Sequence, residues 1–175
     1  TVLALSKIGL SVALVDKAAI DFETEQKGDQ RTTAVSASGK NLFEALGIWE
    51  KIEENAEAIL DIRVSEQDDK GFLSFDHREA GSVPMGHIVD NVELKNSLIS
   101  SIKLSQAITL LPKNSLTDFT SSESAITIHL EKNQIISAPL LVAADGRFSR
   151  ARDIANIKTT RVNYNQISMV FKVAH

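Results

Sequence analysis

The sequence predicts an α/β fold: a parallel sheet crossed by helices, an antiparallel meander set into it, and part of a second β-sheet. Three patterns predict it. Residues 12–15 and 140–143 are continuous apolar runs, and 108–111 is one but for Thr109, as expected of parallel strands buried on both faces. Residues 60–64 and 167–173 alternate apolar with polar, as in antiparallel strands that bury one face, and 72–75 reads as a strand returning beside the first. Helical spacing of apolar residues returns between these runs, most clearly over residues 92–104.

Taken in order, Val2, Leu5 and Ile8 sit at helical spacing and Gly9 stops the helix. The 12–15 run then ends at Asp16. Residues 26–33 are polar and read as a loop. A helix is predicted to begin at Thr32 or Thr33, with Ala34, Val35, Ser38, Leu42, Ala45 and Leu46 on one side and Gly47 as its stop. Ile48, Trp49, Ile52 and Ala56 suggest a further helical turn or two. Leu60, Ile62 and Val64 alternate with polar residues, Asp68-Asp69-Lys70-Gly71 makes a turn, and 72–75 returns. Gly81, Pro84 and Gly86 break the chain before Ile88-Val89. Leu94, Leu98, Ile99 and Ile102 give the next helix its apolar face. Segments 116–119, 125–130 and 135–136, separated by polar turns, predict a meander that leads into the 140–143 strand.

Composition sets bounds on function. The chain has 175 residues, a net charge of −4 and no basic stripe, which gives no reason to expect nucleic acid. It has no cysteine, hence no thiol nucleophile and no cysteine metal site. The four histidines, His77, His87, His129 and His175, show no metal spacing and read as surface or structural. No apolar run approaches the ~20 residues that span a bilayer, and no signal peptide is visible.

The chemically informative stretch runs from Leu140 through Asp145-Gly146 to Arg152. A buried strand, a tight Asp-Gly turn and a helix start follow one another, and ligands of α/β sheets bind at that end of a strand. Gly146 allows close backbone approach, a helix opening just after it offers N–H groups to a phosphate, and Asp145 can accept from sugar hydroxyls. Near the start, helix, Gly9, strand and Asp16 form the second half of a dinucleotide-binding, Rossmann-like βαβ unit. An acid there holds ribose hydroxyls, although a plain crossover with a solvated Asp fits equally. The glycine-rich loop of such a unit lies about 20 residues before that acid, which counts back to before Thr1. The expectation is therefore a chain that starts inside the first crossover helix.

Asp145, Gly146, Phe148, Ser149 and Arg152 fall in place in a pattern that resembles the Asp-Gly fingerprint of flavin-dependent aromatic hydroxylases, the para-hydroxybenzoate hydroxylase superfamily. Asp29-Gln30-Arg31-Thr32-Thr33-Ala34-Val35-Ser36 resembles the Asp-x-Arg-x-x-Ala-x-Ser segment of its ubiquinone-biosynthesis branch, as does Leu46-Gly47-Ile48-Trp49. Gly86-His87-Ile88-Val89-Asp90-Asn91 and residues 164–175 extend the likeness over nearly the whole chain, nearest to the octaprenyl-methoxyphenol hydroxylases. Asp90 stands where the family usually has Glu. The resemblance implies FAD as cofactor and NAD(P)H as co-substrate, with oxygen activated on the reduced flavin and delivered to the ring of a polyprenyl phenol. Asp16 would hold the adenosine ribose, Arg31 the phosphate and ribityl region, Asn91 the ribityl and pyrophosphate region, and Asp145 with Gly146 the ribityl or pyrophosphate side. Arg31 also suits a solvated loop arginine, and Asn91 a helix cap. Arg152 suits a brace for the Asp-Gly turn.

The same resemblance implies residues 1–58 and 89–156 as an incomplete FAD-binding domain and residues 59–88 and 157–175 as parts of a substrate-domain sheet. Asp16, Arg31, Asn91 and Asp145 are expected along one groove, and this stretch alone is expected to be inactive. No catalytic side chain and no metal ligand is assigned. A cytoplasmic protein touching the inner face of the membrane, or a ubiquinone-biosynthesis complex, fits the tailed substrate. Another FAD oxidoreductase of the same fold, such as a reductase or halogenase, and a non-catalytic accessory protein on this scaffold stay open.

Overall fold

The computed structural model describes residues 1–18, 29, 31–65, 71–81, 83–167 and 169. Its elements, in chain order, are α1 (Val2–Lys7), β1 (Val12–Asp16), β2 (Thr32–Ser36), α2 (Ala37–Ala45), β3 (Glu57–Ile59), β4 (Asp61–Ser65), β5 (Phe72–Asp76), β6 (Gly86–Asp90), α3 (Asn91–Leu104), β7 (Ile108–Pro112), β8 (Leu116–Ser121), β9 (Ile126–Leu130), β10 (Ile135–Ala138) and α4 (Arg150–Ile154). Short 3₁₀ turns at Trp49–Lys51, Glu53–Asn55, His77–Ala80 and Glu131–Asn133 join some of them. The chain divides into two compact units. One takes the described residues of Thr1–Val12, Asp21–Ile108 and Met169–His175, the other those of Ala13–Ile20 and Thr109–Ser168.

The first unit is built on an antiparallel sheet in the order β2-β6-β3, with Thr32 opposite Asp90 and Glu57 opposite Ile88. Val35, Trp49, Ile52 and Val89 form its core, and Phe43, Ala56 and Leu94 pack against them. Strand β2 replaces the helix start expected at Thr32 or Thr33. Its β-branched residues suit a pleated surface, and only Val35 turns inward. The helix begins at Ala37 instead, where the Ser36 hydroxyl accepts from the Gly39 amide at 3.1 Å. It ends where the sequence placed its stop. Gly47 takes φ +67°, and the Ile48 N–H reaches back to the Phe43 carbonyl at 2.9 Å.

Gly86 is fixed by contact. A Cβ there would fall against the carbonyl of Val35 on the neighbouring strand. Gly86→Ala should therefore push β6 off β2 and cost about 1–3 kcal/mol, an overpacking penalty. A urea midpoint equal to that of the parent protein would contradict this.

Strands β4 and β5 form a separate antiparallel hairpin, as expected, with Ile62 opposite Phe75 and Val64 opposite Leu73. Those four apolar residues share one face, since side chains alternate along a strand, and all four are exposed.

In the second unit β1 lies beside β7. The Val12 N–H reaches the Ala107 carbonyl and the Asn114 N–H reaches the Asp16 carbonyl, so partners advance together and the strands run parallel. The meander β8-β9-β10 is antiparallel as expected, with an irregularity between Leu116 and Asp118. Ile128 and Leu130 are buried in it. Asn114, also buried, donates to the Gln134 side chain at 2.8 Å and ties the end of β1 to the meander.

Residues 140–143 depart from expectation. They form no strand, and Leu140 and Val142 stay exposed. A strand exists only through a partner's hydrogen bonds, and the sheets among the described residues give this segment none. The strand expected over 167–173 lies almost wholly outside the described residues; Ile167 and Met169, which are described, are in no strand.

Candidate functional site

In the first unit a polar cluster gathers where β2 begins and β6 ends. Asp29 Oδ1 accepts from Arg31 Nε at 2.8 Å and Oδ2 accepts from Arg31 Nη2 at 2.8 Å, a fork-on-fork pair. The Arg31 backbone N–H also donates to Oδ1, at 3.2 Å. Asn91 Nδ2 approaches Oδ2 at 3.4 Å, the Thr33 hydroxyl donates to Asn91 Oδ1, and the Asn91 N–H donates to the Arg31 carbonyl at 3.1 Å. The antiparallel register explains the meeting: Thr32 opposes Asp90 and Thr33 opposes Val89, so the residues flanking the paired ends come together. Asn91 is the first residue of α3, a helix of 14 residues. The Arg31 side chain keeps 68% of its exposure, and its Nη1 takes no part in the pair.

Asp16 and Asp145 belong to the second unit. Asp16 closes β1, where its Oδ1 accepts from the Ala18 N–H at 2.8 Å. Asp145 opens the turn into α4. Its Oδ2 accepts from the Ala151 N–H at 3.0 Å, and the Ser149 hydroxyl accepts from the Arg152 N–H at 3.1 Å. The amides expected to lie open for a phosphate are thus taken by side chains of the same turn. Gly146 has φ +81° with open space around it. Arg152 Nη2 donates to the Arg147 carbonyl at 2.9 Å, the bracing role expected of it. Beside this turn a cleft of about 430 Å³ is walled by Phe119, Ile126, Leu141 and Ile157, with Asp145 and Arg152 among its polar residues.

Charge sharpens these sites. The Arg31 side chain, above its other contacts, holds the Asp29 carboxyl well below the usual carboxylate range. Arg78 does the same to Asp76, two residues before it. For Asp145 burial pushes the carboxyl up, but the Ser149 hydroxyl and the backbone amides of Ala151 and Arg150 outweigh it, and the net direction is down. A carboxyl depressed in the folded state takes up its proton first in the unfolded chain. Its stabilisation is complete above the unfolded value of about 3.9 and fades as pH falls from there toward the folded value. These groups should leave the thermal midpoint flat from neutral pH to about pH 5 and lower it below about pH 4. Asp76→Asn should flatten part of that acid limb in a calorimetric pH series. Arg78 is largely exposed, so the change should be small; an acid limb identical to the parent's would contradict it.

The sequence singled out Arg31 and Asn91 and passed over Asp29, which bonds both, and Thr33, which bonds Asn91. Asp29 stood in the quoted segment with no role, although Asp and Arg two apart in a loop is the signal of a self-closing pair. Thr33 was assigned to a helix. Among the described residues no three His, Asp or Glu side chains are grouped as a metal site, and no helix is long and apolar enough to cross a membrane.

An FAD binding domain model matches residues 1–175. The chain belongs to the FAD binding domain family. It is similar to ubiquinone hydroxylase UbiL of Rhodospirillum rubrum, 30% identical over 172 residues, which covers 98% of this chain and 40% of that protein. It is also similar to 3-demethoxyubiquinol 3-hydroxylase of Escherichia coli, 26% identical over 98% of this chain and 44% of that protein. The chain thus spans less than half the length of these relatives. Among solved structures, a mutant of Pseudomonas aeruginosa PqsL shares the fold with a TM-score of 0.72 at 18% identity, over 93% of this chain and 44% of that one. p-Nitrophenol 4-monooxygenase PnpA of Pseudomonas putida does so with a TM-score of 0.68 at 14% identity, over 88% and 39%.

The donors of the first unit suit such a cofactor. An exposed guanidinium, a carboxamide and the first turn of a long helix are the groups that a phosphate or a polyol chain requires. In the second unit the ionised Asp145 suits hydroxyl groups as an acceptor.

Proposed function

We propose that the full-length protein is an FAD-dependent monooxygenase that hydroxylates the aromatic ring of a polyprenyl phenol, with NAD(P)H and oxygen as co-substrates. The observation that carries this reading is the 30% identity to a ubiquinone hydroxylase over 98% of the chain. FAD, when bound, supplies the two-electron redox chemistry. The protein's part is to bind, orient and exclude water. Arg31 offers positive charge to the pyrophosphate, Asn91 and the start of α3 offer N–H donors, Asp145 and Gly146 receive the ribityl side, and Asp16 accepts from the adenosine ribose. None of these residues acts as a general acid or base in this reading.

The hairpin of β4 and β5 belongs, in the same reading, to the sheet that faces substrate, where the apolar Ile62, Val64, Leu73 and Phe75 suit a prenyl chain. Such a tailed substrate partitions into lipid, which supports a cytoplasmic enzyme touching the inner face of the membrane. The test is turnover by full-length protein given NAD(P)H, oxygen and a prenylated phenol. Hydroxylated product in step with NAD(P)H oxidation is expected. NAD(P)H oxidation that the phenol neither stimulates nor couples to product would overturn the assignment in favour of another flavin oxidoreductase.

A further inference from the structure

We propose that Asp29 is a positioning residue for the cofactor: its carboxylate holds Arg31 and Asn91 in the geometry in which they meet FAD, without touching FAD itself. This rests on the reading of Arg31 and Asn91 as cofactor contacts. One carboxylate serves both side chains. Its two oxygens take Nε and Nη2 of Arg31 at 2.8 Å, and Oδ2 also receives Asn91 Nδ2 at 3.4 Å. Arg31 and Asn91 are also linked through the backbone, from the Asn91 N–H to the Arg31 carbonyl. The geometry is also graded. Asp29 retains 30% of its side-chain exposure against 68% for Arg31, so the acid sits beneath the cation it orients.

Two effects of Asp29 on a diphosphate oppose each other. Its negative charge weakens the field that Arg31 presents, so a site tuned for charge alone would leave the arginine unpaired. Against that, a free arginine samples many rotamers and must give them up on binding, whereas a forked pair has already done so. The fork occupies Nε and Nη2 and leaves Nη1 as the edge for a ligand. Positioning and charge competition therefore predict opposite signs when the carboxylate is removed.

The experiment uses apo full-length protein titrated with FAD, with Kd read from flavin fluorescence, for Asp29→Asn, Arg31→Ala and the double variant. Arg31→Ala should weaken FAD by roughly 10–100-fold and Asp29→Asn by roughly tenfold, the scale typical of a partner that orients a binding group. In the Arg31→Ala background Asp29→Asn should cost clearly less than it does in the parent, roughly two- to threefold, because only Asn91 is left to orient. FAD bound as tightly or more tightly by Asp29→Asn would overturn the proposal and make Asp29 a competing charge. Equal losses in both backgrounds would overturn it too and make Asp29 a general prop of the loop. Arg31→Ala with unchanged Kd would overturn the cofactor site itself, a different failure from either of these. Should Asp29→Asn fail to fold by circular dichroism, Asp29→Glu reads the same point. It keeps the charge and displaces the fork, so weaker binding supports positioning and unchanged binding refutes it.

Discussion

Full-length protein carrying Asp145→Ala should purify without the yellow colour of bound flavin. The substitution removes two things at once. It deletes an ionised acceptor, and charged hydrogen bonds of this kind contribute about 1.5–3 kcal/mol each, or roughly 10–100-fold in Kd. It also frees the Ala151 N–H, which Asp145 Oδ2 now holds at 3.0 Å, at a cost near 1 kcal/mol typical of a lost helix cap. Asp145→Asn separates the two, since its side-chain oxygen can still cap while its charge is gone. Loss of flavin absorbance in both variants places the charge at the cofactor. Loss in the alanine variant alone makes the turn's shape the requirement. Stoichiometric flavin in Asp145→Ala would remove Asp145 from the cofactor site.

The second large effect concerns the core. Trp49 is 1% exposed and packs in one cluster with Val35, Ile52 and Val89. Its ring meets the His87 imidazole edge-on, with centroids 4.9 Å apart, and Lys40 Nζ lies 5.3 Å from its centroid. Trp49→Ala should cost about 3–5 kcal/mol, the range for emptying a buried aromatic site. That is a large part of the 5–15 kcal/mol that holds a typical domain folded. Trp49→Phe should cost less than the loss of ring volume suggests. The buried Nε1–H has no acceptor among the described residues, and removing an unpaired donor relieves its desolvation penalty. Denaturant midpoints decide the matter, and a Phe variant no better than Ala would show that the indole N–H is bonded after all.

Local patterns carried much of the architecture. The meander, the β4–β5 hairpin, the parallel pair β1 and β7 and the helix over Asn91–Leu104 were legible because period and punctuation agree there. Thr32–Ser36 was misread because Ala34, Val35 and Ser38 also fit helical spacing; what decides the strand is β6, whose pairing lies far along the chain. Residues 140–143 carry the composition of a buried strand, yet composition cannot supply a neighbour. The same division holds at the site. Arg31 and Asn91 stood out through a recognisable segment. Asp29 and Thr33 acquire their part only when β2 and β6 bring positions about sixty residues apart into hydrogen-bond reach.

The pairing of β1 with β7 has a kinetic consequence. Roughly half the chain lies between these strands, whereas β8, β9 and β10, and β4 with β5, lie close to their partners in sequence. Closing a long loop costs entropy before any contact repays it, and parallel pairs lack the turn that would hold them in register. The meander and the hairpin can form early from nearby residues, while β1 must wait for β7 to arrive. Asp16, at the end of β1, should therefore reach its place late in folding.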